Sequence, residues 1–329
     1  MQSIKAQYKE RGSEPHKLIQ PVPFDTPEPG PGEVLVELLA APINPSDLLT
    51  LTGDYGVLPD LPATGGNEGV GKVSALGEGV SGLQPGQTVL LPIGCGTWAS
   101  HLLAKAGELI PLPGQADPLQ LAMLTINPPT AALLLTEIVD LEPGEWVIQN
   151  AANSAVGGYL IQLAAERGLK TVNVVRREGA AEAVRKQGGD VVLVDGPDLA
   201  ERVAEATGKA KIRLGIDAVG GPSTEHLAAC LAGGGTIANY GMMSGEPCQV
   251  SPGQLIFRGI TLTGFWLASW FRKASTEDQQ RLFGDLIGKI AAGKLSAPVA
   301  ATYPLAQISE AVLAASQGER DGKILVVPG

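Results

Sequence analysis

The middle third of this chain constrains its fold more than any other part. "WVIQNAA" (146–152) is a continuous apolar run closed by small residues, and "VGGYLIQLAAERG" (156–168) follows at helical spacing and stops at Gly168. "TVNVV" (171–175) is a second such run, after which a helical pattern stops at Gly188-Gly189. "VVLVD" (191–195), "IRLGIDAVG" (212–220), "GTIANYG" (235–241) and "TLTGFWL" (261–267) supply four more runs. Strands that alternate with helices are joined by crossovers, which makes the sheet parallel and puts helices on both faces. The runs are unbroken rather than alternating, as strands covered on both sides should be. The expected fold is α/β, with a doubly wound parallel sheet of Rossmann type.

The flanks read differently. Seventeen of the 25 prolines lie within the first 129 residues. Short apolar runs such as "EVLVELLAAPINPSD", "EGVGKVSALG" and "QTVLLPI" are separated there by turn signals. Irregular strands with tight turns suit a β-rich, barrel-like domain. A helix, "TEDQQRLFGDLIGKIAAG", and a closing "GKILVVPG" end the chain, and there is no internal repeat or low-complexity tract.

Several function classes are excluded. The net charge is -10 and no Lys/Arg block stands out, so a nucleic-acid partner is not expected. The apolar segment "LAMLTINPPTAALLLTEIV" is interrupted by Asn127, Pro128 and Pro129, so no membrane span is expected. The opening "MQSIKAQYKERG" lacks the apolar run of a signal peptide. Three cysteines, none in a C-x-x-C spacing, argue for a reducing compartment, and the expected location is cytoplasmic. With three cysteines and three histidines in all, a four-ligand structural zinc site is not expected.

The turn after the first strand, "AANSAVGG", carries a degenerate dinucleotide fingerprint. Small residues there let a pyrophosphate approach the backbone, and the helix N-terminus supplies positive potential. An ordinary strand-to-helix turn would read the same way. The end of the next strand tilts the balance. An NAD enzyme places an acid about 20 residues after the turn, whereas this chain has Arg176 and Arg177. Two guanidiniums suit a 2′-phosphate, so the cofactor reading is NADPH. Exposed arginines at the start of a helix are the alternative.

The stretches "INPSD", "GDYGVLPDLPATGGNEGVG", "GTW", "NPPTA", "VIQNAANSAVG", "NVVRR", "YGMM", "GFWLASW" and "GKILVV" resemble the zinc-independent medium-chain dehydrogenase/reductases. Within that superfamily they are most similar to the 2-enoyl thioester reductases. The resemblance implies a GroES-like catalytic domain (1–121 and 268–329) into which an NADPH-binding Rossmann domain (122–267) is inserted. The positions of the zinc relatives' catalytic ligands fall near Asn44, Asn67 and Asn127, none of which binds zinc as a thiolate or imidazole does. No metal is therefore implied, and hydrogen bonds must activate the electrophile instead. The pair Asn67-Glu68 in "TGGNEGVG" is then no metal site. Glu68 is read as a structural carboxylate that receives backbone or arginine hydrogen bonds.

The chemistry implied is NADPH-dependent reduction of an enoyl thioester. Hydride adds to the β-carbon and charge develops on the carbonyl oxygen, where a donor stabilises the enolate. The "GDYG" motif makes Tyr55 that donor. By resemblance Asn127, Asn153, Ser154, Ala155, Val156 and Gly157 contact the cofactor, as do Arg176, Arg177, Tyr240, Gly241, Met242, Met243, Phe265, Trp266, Leu267 and Lys323. Asn44 and Trp98 are assigned to the substrate pocket. Each has a plainer reading: gap-filling methionines, an aromatic subunit interface, a solvated lysine, a packing tryptophan or tyrosine. The family's "NP-x-TAY" reads "NPPTAAL" here, so the aromatic is lost at Ala132, and there is no visible leader of an organelle form. The substrate expected is a small acyl thioester, on CoA or acyl-carrier protein, and the expected assembly is a homodimer. A quinone or enone reductase on the same fold is the alternative, and a non-catalytic NADPH-binding protein a further one.

Overall fold

The computed structural model describes residues 3–318 and 320–329, so Met1 and Gln2 of the N-terminal stretch read for a leader lie outside it. The chain divides into two compact units, residues 1–126 with 284–329, and residues 127–283. The sequence boundaries at 121 and 268 differ from these. The helices Leu267–Lys273 and Thr276–Ala291 are joined by an aromatic contact, Phe271 stacked on Phe283 at 5.8 Å, which keeps the segment up to Phe283 with the second unit.

The second unit is a six-stranded, wholly parallel sheet. Its strands in chain order are Trp146–Gln149, Lys170–Val175, Val191–Val194, Leu214–Asp217, Thr236–Asn239 and Thr261–Gly264. Across the sheet they run third, second, first, fourth, fifth, sixth. This is the doubly wound Rossmann order, in which a ligand site forms at the C-terminal ends where the winding reverses, between the first and fourth strands. Helices Leu199–Thr207 and Pro222–Cys230 cover one face through Leu199, Val203, Leu227 and Ala228, packed on Ile148, Val172 and Val174. Helices Ala155–Glu166 and Ala181–Lys186 contribute Ile161, Ala181 and Val184 to a separate cluster with Val175. The expectation of double coverage fails at one edge. All four residues of the sixth strand, at the edge of the sheet, are exposed. Among the described residues no helix is long and apolar enough to cross a membrane.

The first unit is β-rich. Strand Glu33–Pro42 pairs with Val70–Leu76, with His101–Lys105 and with the C-terminal strand Lys323–Val327. The return of the chain is fixed by Leu325 opposite Pro42 and Val326 opposite Ala41. A smaller sheet sets Ser3–Tyr8 between Gln20–Phe24 and Ala63–Thr64. The core collects Tyr8, Val34, Val36, Leu38, Val89, Trp98, Leu305, Ile308 and Val326, all within 2% of full burial. The "TGG" turn packs directly on Trp98. At Gly66 (φ +98°) a Cβ would stand 2.6 Å from the indole, so glycine is required by both the backbone and the space.

Candidate active site

The parallel sheet forms a candidate cofactor site at its first turn. Ser154 caps helix Ala155–Glu166, and its hydroxyl accepts the Gly157 N–H at 3.1 Å. Ala151 takes a positive φ of 46° to make the turn tight. Gly157 lies so close to the strand end that a Cβ there would be 2.5 Å from the Ala152 carbonyl oxygen. That is the close helix–strand approach a dinucleotide turn requires. Buried Gln149 locks the arrangement, its amide donating to the Gly157 carbonyl (3.1 Å) and to Asn173 Oδ1 (2.8 Å). Asn153 is exposed, Ala155 half-buried and Val156 buried in the first turn.

The fifth strand reaches this turn. Tyr240 follows it, and its hydroxyl shares a hydrogen bond with Ser154; burial raises the phenol well above its ordinary value, with that bond opposing. Gly241 is closed in as well, since a Cβ would meet the Ala218 carbonyl oxygen at 2.6 Å. Met242 and Met243 are 53% and 61% exposed, which removes the reading of them as core gap-fillers. Phe265 continues from the sixth strand, its N–H donating to Asn239 O (2.8 Å). Trp266 precedes helix Leu267–Lys273 and carries the Arg272 guanidinium 4.6 Å from its ring centroid. Arg176 is exposed and Arg177 half-buried at the end of the second strand. Asn127 is buried in the first turn of helix Asn127–Thr136.

A network that the sequence reading missed joins the C-terminal ends of the first, fourth and fifth strands. Asp217 accepts hydrogen bonds from Asn150 Nδ2 (2.7 Å), Thr224 Oγ1 (2.7 Å), Asn239 Nδ2 (3.1 Å) and the Val219 and Gly220 amides. Burial alone would raise its carboxyl, but these donors hold it below the usual carboxylate range. The only signal in the sequence is that Asn150 and Asp217 each close an apolar run.

The β-rich unit supplies a second group of polar residues. Asn44 and Asp47 form a capping box at the start of helix Pro45–Thr52. Asp47 also accepts the backbone and side-chain N–H groups of Asn67 at 3.0 and 2.7 Å. Glu68, fully buried, accepts the Asn44 amide at 2.7 Å and the backbone N–H groups of Thr125 and Ile126 at 2.9 and 3.0 Å. Lys323 donates to the Ile43 carbonyl (3.1 Å) and to Asn44 Oδ1. Burial raises both carboxyls and lowers the lysine, while the opposite charges of the three oppose those shifts. Glu68 is therefore the structural carboxylate of the "TGGNEG" turn, held by backbone and an asparagine amide rather than by an arginine. Tyr55 lies beyond the other end of the same helix, half-buried, with its N–H on the Leu49 carbonyl at 3.2 Å.

Three expected site residues are buried. Lys323 is 6% exposed, and its ammonium donates to the Ile43 carbonyl and to Asn44 Oδ1. Asn44 is 1% exposed, its amide bonded on both sides. Trp98 is fully buried beneath Gly65 and Gly66 and donates to Pro42 O, a packing role. Among the described residues no three His, Cys, Asp or Glu side chains are gathered as metal ligands.

Both units have relatives among known proteins. Residues 30–114 match the alcohol dehydrogenase GroES-like domain, and residues 155–282 match the domain described as zinc-binding dehydrogenase. The mitochondrial enoyl-[acyl-carrier-protein] reductase of Rattus norvegicus is 39% identical over 308 residues, covering 91% of this chain and 82% of that one. The chain belongs to the enoyl thioester reductase family of zinc-independent medium-chain dehydrogenase/reductases. Similar solved structures agree with this family. A mitochondrial 2-enoyl thioester reductase heterodimer from Candida tropicalis is 28% identical with a TM-score of 0.87, covering 99% of this chain and 100% of that one. A Bacillus thuringiensis protein provisionally named an NADPH:quinone reductase is 30% identical with a TM-score of 0.89, each chain covered in full.

Proposed function

We propose that this chain is an NADPH-dependent oxidoreductase that reduces the carbon–carbon double bond of 2-enoyl thioesters. The observation that carries the reading is the 39% identity to an enoyl-[acyl-carrier-protein] reductase across 91% of the chain, both units included. A related structure at 27% identity is a complex with NADP and crotonyl-CoA.

The residues present fit the cofactor. The Ser154 cap and the close-packed Gly157 leave backbone N–H groups for a pyrophosphate. Arg176 and Arg177 stand at the end of the second strand, where a carboxylate would repel a 2′-phosphate. Tyr240, Gly241, Met242 and Met243 and the segment Phe265, Trp266 and Leu267 are the remaining candidates to hold it, with Asn127 and Asn153. Bound there, NADPH supplies a hydride for the β-carbon of the substrate.

The protein's own task is to accommodate the charge that develops on the thioester carbonyl. Tyr55 is the group assigned to donate to that oxygen. A neutral phenol suits the task, because it stabilises the enolate without competing for the proton that the α-carbon must receive. The buried cluster of Asn44, Asp47, Glu68 and Lys323 touches no reacting atom in this account and fixes the helix that leads to Tyr55.

A quinone reductase is the second reading, favoured by the Bacillus relative and by alanine in place of the family's aromatic at Ala132. The separating experiment follows NADPH oxidation with crotonyl-CoA and with a benzoquinone. Turnover of the thioester supports the proposal, and turnover of the quinone alone refutes it. For the assembly we propose a homodimer through the open edge of the parallel sheet. The sixth strand is exposed along its whole length, Leu262 included, and Leu255, Ile256 and Phe257 just before it in the chain are exposed apolar residues as well. A cytoplasmic location is consistent with three free thiols.

A further inference from the structure

The loop that carries Tyr55 starts at Gly53, the left-handed cap of helix Pro45–Thr52, and ends at Ala63, which pairs with Tyr8. Most of its residues are exposed, including Val57, Leu58 and Leu61 at its tip. A connection of about ten residues with an exposed tip gains little from burial and must be held in place by other means.

One side chain spans it. Arg11 lies three positions beyond the strand Ser3–Tyr8. Its guanidinium donates to the Pro59 carbonyl, towards the far end of the loop. The Tyr8 hydroxyl, on a side chain only 1% exposed in the core, lies close enough to Arg11 for its positive charge to oppose the rise that burial gives the phenol. The arginine stem runs beside the near end, where a Cβ built on Gly53 would be 3.4 Å from Arg11 Cδ. The following residue, Gly12, donates its N–H to Leu51 O at 3.2 Å. Arg11 thus reaches both ends of the Tyr55 loop, its guanidinium bonded to Pro59 O at the far end and its stem beside Gly53 at the near end.

We propose that Arg11 is a positioning residue for Tyr55: it clamps the loop so that the phenol is held in one place for the carbonyl oxygen. This rests on the assignment of Tyr55 above, and the test keeps the two apart. Turnover of crotonyl-CoA is measured for Arg11→Met, Arg11→Lys, Tyr55→Phe and the Arg11→Met/Tyr55→Phe double variant. Amide hydrogen exchange over residues 53–62 is measured for the Arg11 variants. Arg11→Met is expected to lower kcat roughly ten- to hundredfold with the KM for NADPH unchanged, as a small displacement of a catalytic group does. Exchange in the loop rises, and Arg11→Lys, which keeps one donor, falls between Met and the native residue. In the Tyr55→Phe background the Arg11 substitution adds nothing further, because both act through one hydroxyl. A full additional loss in that background, an unchanged kcat, or unchanged loop exchange overturns the proposal. An unimpaired Tyr55→Phe overturns the Tyr55 assignment itself and, with it, any catalytic purpose for the clamp.

Discussion

Replacing Lys323 by methionine removes the one ammonium that faces both Asp47 and Glu68 while keeping most of the volume of its stem. The three groups are 6%, 2% and 0% exposed, so water does not substitute for the lost charge. When the two carboxyls are protonated, the variant loses only the bonds to Ile43 O and Asn44 Oδ1, about 1–2 kcal/mol. When they are ionised, it leaves buried charge without its partner, about 3–5 kcal/mol. Burial pushes the Asp47 carboxyl up to about 6 and the Glu68 carboxyl up to about 7, with the Lys323 charge opposing both shifts. A carboxyl raised in the folded state contributes stability that is present below its unfolded pKa and lost as pH climbs through the folded one. Without the ammonium both rise further, so the variant loses more than the native chain over the same climb. Lys323, lowered by burial to about 8, keeps its proton across that window. Urea unfolding followed by tryptophan fluorescence at about pH 5.5 and about pH 7.5 reads the difference, provided the m values match. The penalty is expected to widen with pH by about 2 kcal/mol. A penalty equal at both values, or below about 1 kcal/mol throughout, refutes the coupling.

Three further outcomes are expected. Gly157→Ala puts a methyl 2.5 Å from the Ala152 carbonyl oxygen, so the turn or the helix must shift; a stability loss of about 1–3 kcal/mol and weaker NADPH binding by fluorescence titration should follow, and unaltered binding would contradict the placement of the turn. Arg176→Ala should raise the KM for NADPH by roughly ten- to hundredfold, the worth of a charge-assisted bond, and that for NADH little; an equal loss with both would remove the 2′-phosphate from its role. Leu262→Lys on the exposed edge strand should shift the mass measured by light scattering towards the monomer, and an unchanged dimer would place the contact on another face.

The parallel sheet was legible because short strand-like runs alternate with helical patterns along residues 146–267. Their ends were not. "IRLGIDAVG" forms a strand only over Leu214–Asp217, since Asp217 turns its carboxylate back onto the Val219 and Gly220 amides. "TLTGFWL" stops at Gly264 because Trp266 and Leu267 belong to the start of the next helix. Coverage was not legible either, because an edge strand and a central one can share the same composition. At the site, the capped turn at Ser154 follows from local spacing. The link between Asn44 and Lys323 spans 279 residues, and no local pattern encodes it. No sign in the sequence therefore marks Lys323 as buried against Ile43 and Asn44. Arg11 was invisible for the same reason, as its bond to the Pro59 carbonyl spans 48 residues.

The proposed reaction moves a hydride from NADPH to the β-carbon of an enoyl thioester. The direct measurement is transfer from NADPH deuterated at the reactive C4 position to crotonyl-CoA in ordinary water, with the product examined by mass spectrometry and NMR. The expected product is butyryl-CoA with a single deuterium at C3 and only solvent hydrogen added at C2. Product without the label, label at C2, or no product from the thioester while a quinone consumes NADPH would contradict the proposed reaction.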